Sequence, residues 1–362
     1  MGTAQLAEWC RIPTSGARAV EPFELDGMSL LAIPQLAYDQ PDRPANMNGG
    51  DSDTDLIILR RNGNGYEPCQ NVPAPGGEDA EFFRIGDRAF LATASIRGGN
   101  GPYQFARDSV VYGWTGSKFE PFQAFEGFAA KQWRHFTIAD QHYLALAQGV
   151  ALPGTEAANK PSHIFRWDGA SFQPFQDIPS RWAYNWHAFA VGGHHFLAHA
   201  DHVDPSRLYR WDGDRFVVHQ ELAGRYGRAF ASFRADDADH LLVACIQGRS
   251  KLLRWDGERF AEHDLLDGEG TREFAVFNGV HGLYVVRVNF ILGTPAAPTT
   301  ALTSQLYRWD RGALTVVDEF PTFGGTDVAA YFDDEGILVA VSNSLSADVR
   351  FATETVIYRF IE

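Results

Sequence analysis

One phrase returns along this chain at intervals of roughly 50 residues, and a repeat of that length constrains the fold more than any single residue does. The phrase is an apolar-aromatic strand closed by Trp-Asp-Gly and followed by Phe. It reads HIFRWDGASF at 163–172, RLYRWDGDRF at 207–216 and KLLRWDGERF at 251–260. Looser copies are LIILRRNGNGY at 56–66, VVYGWTGSKF at 110–119 and QLYRWDRGAL at 305–314, and a last one, TVIYRFIE, ends at 362. The anchors Arg61, Trp114, Trp167, Trp211, Trp255, Trp309 and Phe360 are spaced by 53, 53, 44, 44, 54 and 51 residues. Asp-Gly or Asn-Gly between two alternating strands signals a hairpin whose two turn residues both take φ > 0.

A second phrase lies between the anchors: an aromatic strand, a Gly/Asp turn, then a strand ending in Leu-Ala-x-Ala. Copies are FRIGDRAFLATA (83–94), FTIADQHYLALA (136–147) and FAVGGHHFLAHA (189–200), with FELDGMSLLAI (23–33) weaker. Each repeat therefore runs strand A, tight turn, strand B, loop, strand C, tight turn, strand D. Seven repeats of this kind predict an all-β, seven-bladed β-propeller of four-stranded antiparallel blades, one domain over 1–362. The start, LAEWCRIPTSGA at 6–17, reads as a strand D, and the chain ends on a strand C. The N-terminal strand is therefore expected to complete the C-terminal blade and close the ring, which also covers the free sheet edges.

The motifs F-x-I-x-G-x-x-(F/Y)-L-A-x-A and I-Y-R-W-D-G-x-x-F closely resemble the EAR, or epitempin (EPTP), repeat. That repeat occurs in the leucine-rich glioma-inactivated secreted proteins and in assorted bacterial proteins. The resemblance implies a seven-bladed propeller, which animal members use to bind receptor ectodomains. This sequence shows no leucine-rich repeats and no secretion signal, so it looks like a stand-alone, bacterial-type member, and the receptor role is not carried over.

A net charge of −15 argues against nucleic acid or an anionic membrane as partner, since both need clustered Lys and Arg. Cys10, Cys69 and Cys245 form neither a disulfide framework nor a zinc site; Cys69 and Cys245 read as buried thiols. No apolar run reaches the ~18 residues that span a bilayer, and the N-terminus lacks a basic start and apolar core. A reduced cytoplasm is the expected location. Oligomeric state is left open.

Turns A–B and C–D are short throughout, so the D–A and B–C connections build the elaborated face. Its B–C loops are long at 37–54, 95–108, 148–162 and 289–304 and short at 201–206 and 247–250. Long loops on a rigid frame are where sites are placed, here a one-sided cleft at the channel mouth. The first residues of strand A should line it: Asp79, Glu81, Trp133, Arg134, His135, Trp186, His187, Arg228, Arg272, Glu273 and Asp327. Asp201 and His202 are further ligand candidates. The strand-B ends Gln35, Ser95, Gln148, Asp201, Asn289 and Ser342 read first as caps for loop backbone groups. His194, His195, His199 and His202 lack chelating spacing.

No cofactor is required by any motif. Calcium is the one candidate, at Asp51, Asp53 and Asp55, which share one face of an extended loop; a solvated acidic loop is the competing reading. Two functions remain open. The first is a module that binds a small molecule, glycan or protein at the mouth. The second is a cofactor-free isomerase, cyclase or lyase, with Glu81, His135 or His187 moving protons and the arginines holding an anion.

Overall fold

The computed structural model describes residues 4–63 and 65–362. Asn64, in the 56–66 copy of the repeat, lies outside them, as do residues 1–3. Seven four-stranded antiparallel sheets stand around a central axis, and one extra two-stranded hairpin, Leu292–Thr294 with Ala297–Thr299, rises from the blade 6 loop. The innermost strands A of blades 1 to 7 are Glu21–Leu25, Gly77–Ile85, Gln132–Ile138, Ala183–Val191, Gly227–Ala235, Thr271–Gly279 and Gly325–Asp333. Blade 7 is completed by Gln5–Ser15, which pairs antiparallel with Ala352–Ile361 from Gln5 opposite Ile361 to Ser15 opposite Ala352. Ring closure by the N-terminal strand is thus as the repeat phase requires.

Strands B and C carry apolar residues on both faces because each blade packs against a neighbour on either side. The buried side chains fall into clusters that bridge consecutive blades. Phe23, Leu30 and Ile58 of blade 1 meet Leu91, Tyr112 and Phe119 of blade 2. Across the closure, Ile12, Leu338 and Ile357 of blade 7 meet Leu31 and Leu59 of blade 1. The anchor Trp167 is buried in the layer between blades 2 and 3, against Phe90 and Phe172.

Turn chemistry differs from the sequence expectation. In the Trp-Asp-Gly turns only the glycines take the left-handed conformation, Gly169, Gly213 and Gly257 at φ +104°, +111° and +109°. The aspartates act as side-chain acceptors instead: Asp168 Oδ1 accepts from the N–H groups of Ala170 and Ser171, and Asp212 and Asp256 repeat the pattern. Paired positive φ occurs in the A–B turns, at Asp26–Gly27, Ala139–Asp140, Gly192–Gly193 and Asp236–Asp237. Cys69 is also corrected: it lies on an outermost strand D and is exposed, whereas Cys245 is buried.

A clamp not anticipated from the repeat recurs on strand D. Gln176 donates to the Phe216 carbonyl at 2.8 Å and accepts from its N–H at 2.9 Å. Gln70 with Phe119, Gln123 with Phe172 and Gln220 with Phe260 do the same. Each glutamine thereby ties one blade to the next at a backbone pair left over from the sheet ladders. Gln176→Leu should lower unfolding free energy by about 2 kcal/mol, since two partly buried backbone groups lose their partners. Denaturant unfolding measures the loss; a change within ~0.5 kcal/mol would show that water replaces the clamp.

Candidate functional site

A small residue stands at the start of each strand A or a few positions before it (Ala17, Gly77, Ala130, Ala183, Gly227, Thr271 and Gly325), and the residues that follow form tiers around the axis. The first tier, at the looped face, is Arg18, Glu78, Lys131, Tyr184, Arg228, Arg272 and Thr326. One residue deeper come Ala19, Asp79, Gln132, Asn185, Ala229, Glu273 and Asp327. Two residues deeper again lie Glu21, Glu81, Arg134 and His187. Inner strands of all seven blades enclose a cavity of about 330 Å³ on the axis.

Of the residues expected there, Asp79, Glu81, Arg134, His187, Arg272, Glu273 and Asp327 line this cavity. Arg228 stands at its edge, 4.0 Å above the Tyr184 ring and hydrogen-bonded to His202 Nδ1 at 2.9 Å. His202 packs edge-on against Trp182 and Tyr226, forming an aromatic wall where the B–C loops are shortest. Elsewhere around the mouth the loops pack on one another: Leu36 and Met47 of blade 1 meet Phe290 of blade 6 and Phe351 of blade 7.

Four expected residues lie elsewhere. Strand side chains alternate with period two, so neighbours of Arg134 and His187 must point away from the axis. Trp133 is fully buried between blades, its Nε1 donating to the Thr93 carbonyl at 3.0 Å. Trp186 is equally buried, with its ring 4.1 Å from that of His199. His135 stacks on Phe83 and contacts His142 at 3.0 Å. Asp201 is a cap, accepting from the N–H groups of Arg181, Trp182, Val203 and Asp204. Gln35 and Gln148 also cap loop backbone, and in blade 7 that role falls to Asn343 rather than Ser342.

The three loop carboxylates do not converge. Asp53 accepts from Gly99 N–H and faces Arg107 at 3.8 Å, Asp51 accepts from Asp53 N–H, and Asp55 opens a strand. Among the described residues no group of three or more His, Cys, Asp or Glu is placed to hold a metal ion.

The deep acids have a structural task as well as an axial position. Asp79 accepts from Trp133 N–H at 2.7 Å, Asp327 from Val20 N–H at 2.8 Å, and Glu81 from His135 N–H at 2.8 Å, each reaching the next blade. Burial and the nearby Glu81 push the Asp79 carboxyl well above the usual carboxylate range. Burial, with Asp327 adding to it, pushes Glu273 up to about 8. Burial holds His187 down at about 3 with Arg134 contributing, so it stays neutral and contacts Ser232 at 2.9 Å. Burial and then His142 likewise lower His135 to about 3. Such imidazoles are weak bases at neutral pH.

Arg18, Glu78, Lys131 and Tyr184 belong to the site and were not singled out from sequence. Their signal is positional: each follows the small residue at or just before the start of strand A, as Arg228 and Arg272 do.

The EPTP domain family model matches residues 118–168, 171–212 and 215–256. Those three segments are EPTP repeats. The human thrombospondin-type laminin G domain and EAR repeat-containing protein is 37% identical over 125 residues, 34% of this chain and 17% of that protein. Its mouse counterpart is 36% identical over 96 residues, 26% of the chain and 14% of that protein. The matches therefore cover only a small part of either relative. Each matched segment begins at strand D of one blade and ends at strand C of the next. The repeat is thus out of phase with the blade by one strand. Among the described residues no helix is long and apolar enough to cross a membrane.

Glu273 gives a pH test of the site's electrostatics. Its native carboxyl keeps a proton that the unfolded chain releases near pH 4.5, so the stability it contributes is complete below that value. That stability is lost as pH rises through about 8. Glu273→Gln should match the parent near pH 4 and exceed it by about 2 kcal/mol at pH 9, allowing for water in the cavity. Urea unfolding across that range checks it; parallel curves would place Glu273 in ordinary solvent.

Proposed function

We propose that this propeller is a binding module whose ligand enters the axial cavity from the looped face. The observation that carries the proposal is the cavity itself, about 330 Å³ and lined by side chains from all seven inner strands. Ligand sites are concave, largely preformed and furnished with a few fixed polar groups. Here the polar groups are held by the blades rather than by mobile loops, and Tyr184 offers an aromatic surface beside them. A small polar molecule, or one side chain of a protein partner, suits that volume.

A cofactor-free enzyme is the second reading, favoured by Glu273. Its carboxyl is protonated at neutral pH and lies 3.5 Å from Asn185 Nδ2 in the same cavity, so it could act as a proton donor. The two histidines assigned to proton transfer from sequence are poorly suited to it, being neutral and held by Ser232 and His142.

Thermal unfolding against a panel of small polar metabolites tests the binding role. A ligand at a hundred times its Kd adds about 2.7 kcal/mol. The resulting shift should vanish in Tyr184→Ala and persist in Phe332→Ser, whose side chain is exposed by the blade 7 A–B turn on the opposite face. No shift across the panel, or a shift that survives Tyr184→Ala, would overturn it.

A further inference from the structure

The first tier of the channel is a ring of cations with too little negative charge. Arg18, Lys131 and Arg272 line the cavity with one carboxylate of their tier, Glu78, and Arg228 joins them across the Tyr184 ring. Glu78 Oε1 lies 3.5 Å from Arg18 Nε and 3.8 Å from Lys131 Nζ, ion-pair distances that are long for hydrogen bonds. Arg18 Nε is buried without any hydrogen-bond partner. Arg272 is 8% exposed and has no side-chain hydrogen bond or ion pair among the described residues. Three of the four cations approach one aromatic ring, Arg228 at 4.0 Å, Arg272 at 5.1 Å and Lys131 at 5.3 Å from the Tyr184 centroid.

The acids one tier down make no close ion pair with this ring among the described residues. Asp79 and Asp327 use an oxygen on the backbone of the next blade, and no acid of that tier lies within 4.0 Å of a first-tier cation among the described residues. Burial of unpaired charge is costly, and proteins keep it where a ligand of opposite sign completes the set. Guanidinium groups present planar forks that fit carboxylate and phosphate oxygens. Arg228 is already oriented, because Nη1 donates to the Gly227 carbonyl and to His202. Burial lowers the Arg228 guanidinium to about 10, which leaves it charged at neutral pH.

Resting on the binding role proposed above, we infer that the ligand is a small oxyanion, a carboxylate or phosphate group seated among Arg18, Lys131, Arg228 and Arg272 over the Tyr184 ring. The net charge of −15 over the whole chain repels extended polyanions, so the recessed ring selects a small anionic group rather than a nucleic acid.

The test is calorimetry and thermal unfolding with inorganic phosphate, malonate and glucose, each against sodium chloride of equal ionic strength. Phosphate or malonate should raise the midpoint above the salt control. Arg272→Gln and Lys131→Gln should each weaken that anion's Kd at least tenfold, Arg272→Lys should recover part of it, and Lys118→Gln should leave it unchanged. Because repulsion is relieved, Arg272→Gln should also unfold at a higher temperature than the parent without anion, which shows that the variant is folded. A response to phosphate alone would assign a phosphoryl group, and one to malonate alone a carboxylate. Anion binding that both variants retain would mean an adventitious ion only and would sink the assignment. A panel compound that is uncharged or cationic, lost with Tyr184→Ala while neither anion binds, would keep the cavity as the site and refute the oxyanion. No response to any compound would overturn both.

Discussion

A blade in this ring has to bury both faces of a four-stranded sheet, and only another blade can cover each face. That requirement is met seven times by apolar layers such as Phe23, Leu30 and Ile58 against Leu91 and Phe119. It is met at the ring closure by a strand from the other end of the chain, Gln5–Ser15 beside Ala352–Ile361. Layers of this kind are non-directional and would tolerate sliding. The glutamine clamps on strand D and the Asp79, Glu81 and Asp327 contacts on strand A fix the relative height of the blades at the rim and at the axis.

Fixing the blades fixes the channel. Each inner strand delivers its residues to the axis at the same height, so residues about fifty apart in sequence become neighbours in one tier. Charges that are diluted in the whole chain become concentrated: an acidic protein acquires a mouth dominated by Arg18, Lys131, Arg228 and Arg272 above a layer of Asp79, Glu273 and Asp327. Both layers are under tension from desolvation. Glu78 shows the balance within the ring, where burial would raise its carboxyl but Lys131 and Arg18 hold it below the usual range. Tyr184 shows it too, since burial would raise the phenol while Arg228 and Lys131 bring it below its ordinary value.

The seven blades, their strand order and the closing strand were legible because each rests on local patterns repeated many times. The site was legible only in part. Asp79, Glu81, Arg134, His187 and Glu273 could be placed near the axis from their position in strand A. Trp133, Trp186 and His135 are their neighbours in sequence, but a strand sends alternate residues to opposite faces. Trp133 and Trp186 face the neighbouring blade, where a large apolar ring is worth more than at a wet channel wall. Asp201 reads from sequence both as a loop cap and as a ligand contact, and the four backbone donors that the folded loop brings to it decide for the cap. The Asp-Gly turns were located correctly and given the wrong geometry, since an aspartate can stabilise a turn through its side chain as well as by adopting positive φ.

What the sequence determined by itself is the repeat, and with it the architecture, because hairpin turns and alternating strands are specified over a few residues and then reiterated. The phase of the repeat, strand D through strand C, also determined that the first strand must seal the last blade. What only the tertiary structure decided is which charges meet. Glu78 lies near Arg18 and Lys131 although 60 and 53 positions separate them in sequence, and Tyr184 receives three cations from blades 3, 5 and 6. Coulombic and desolvation energies depend on distance and burial in space, and closure of the ring sets both.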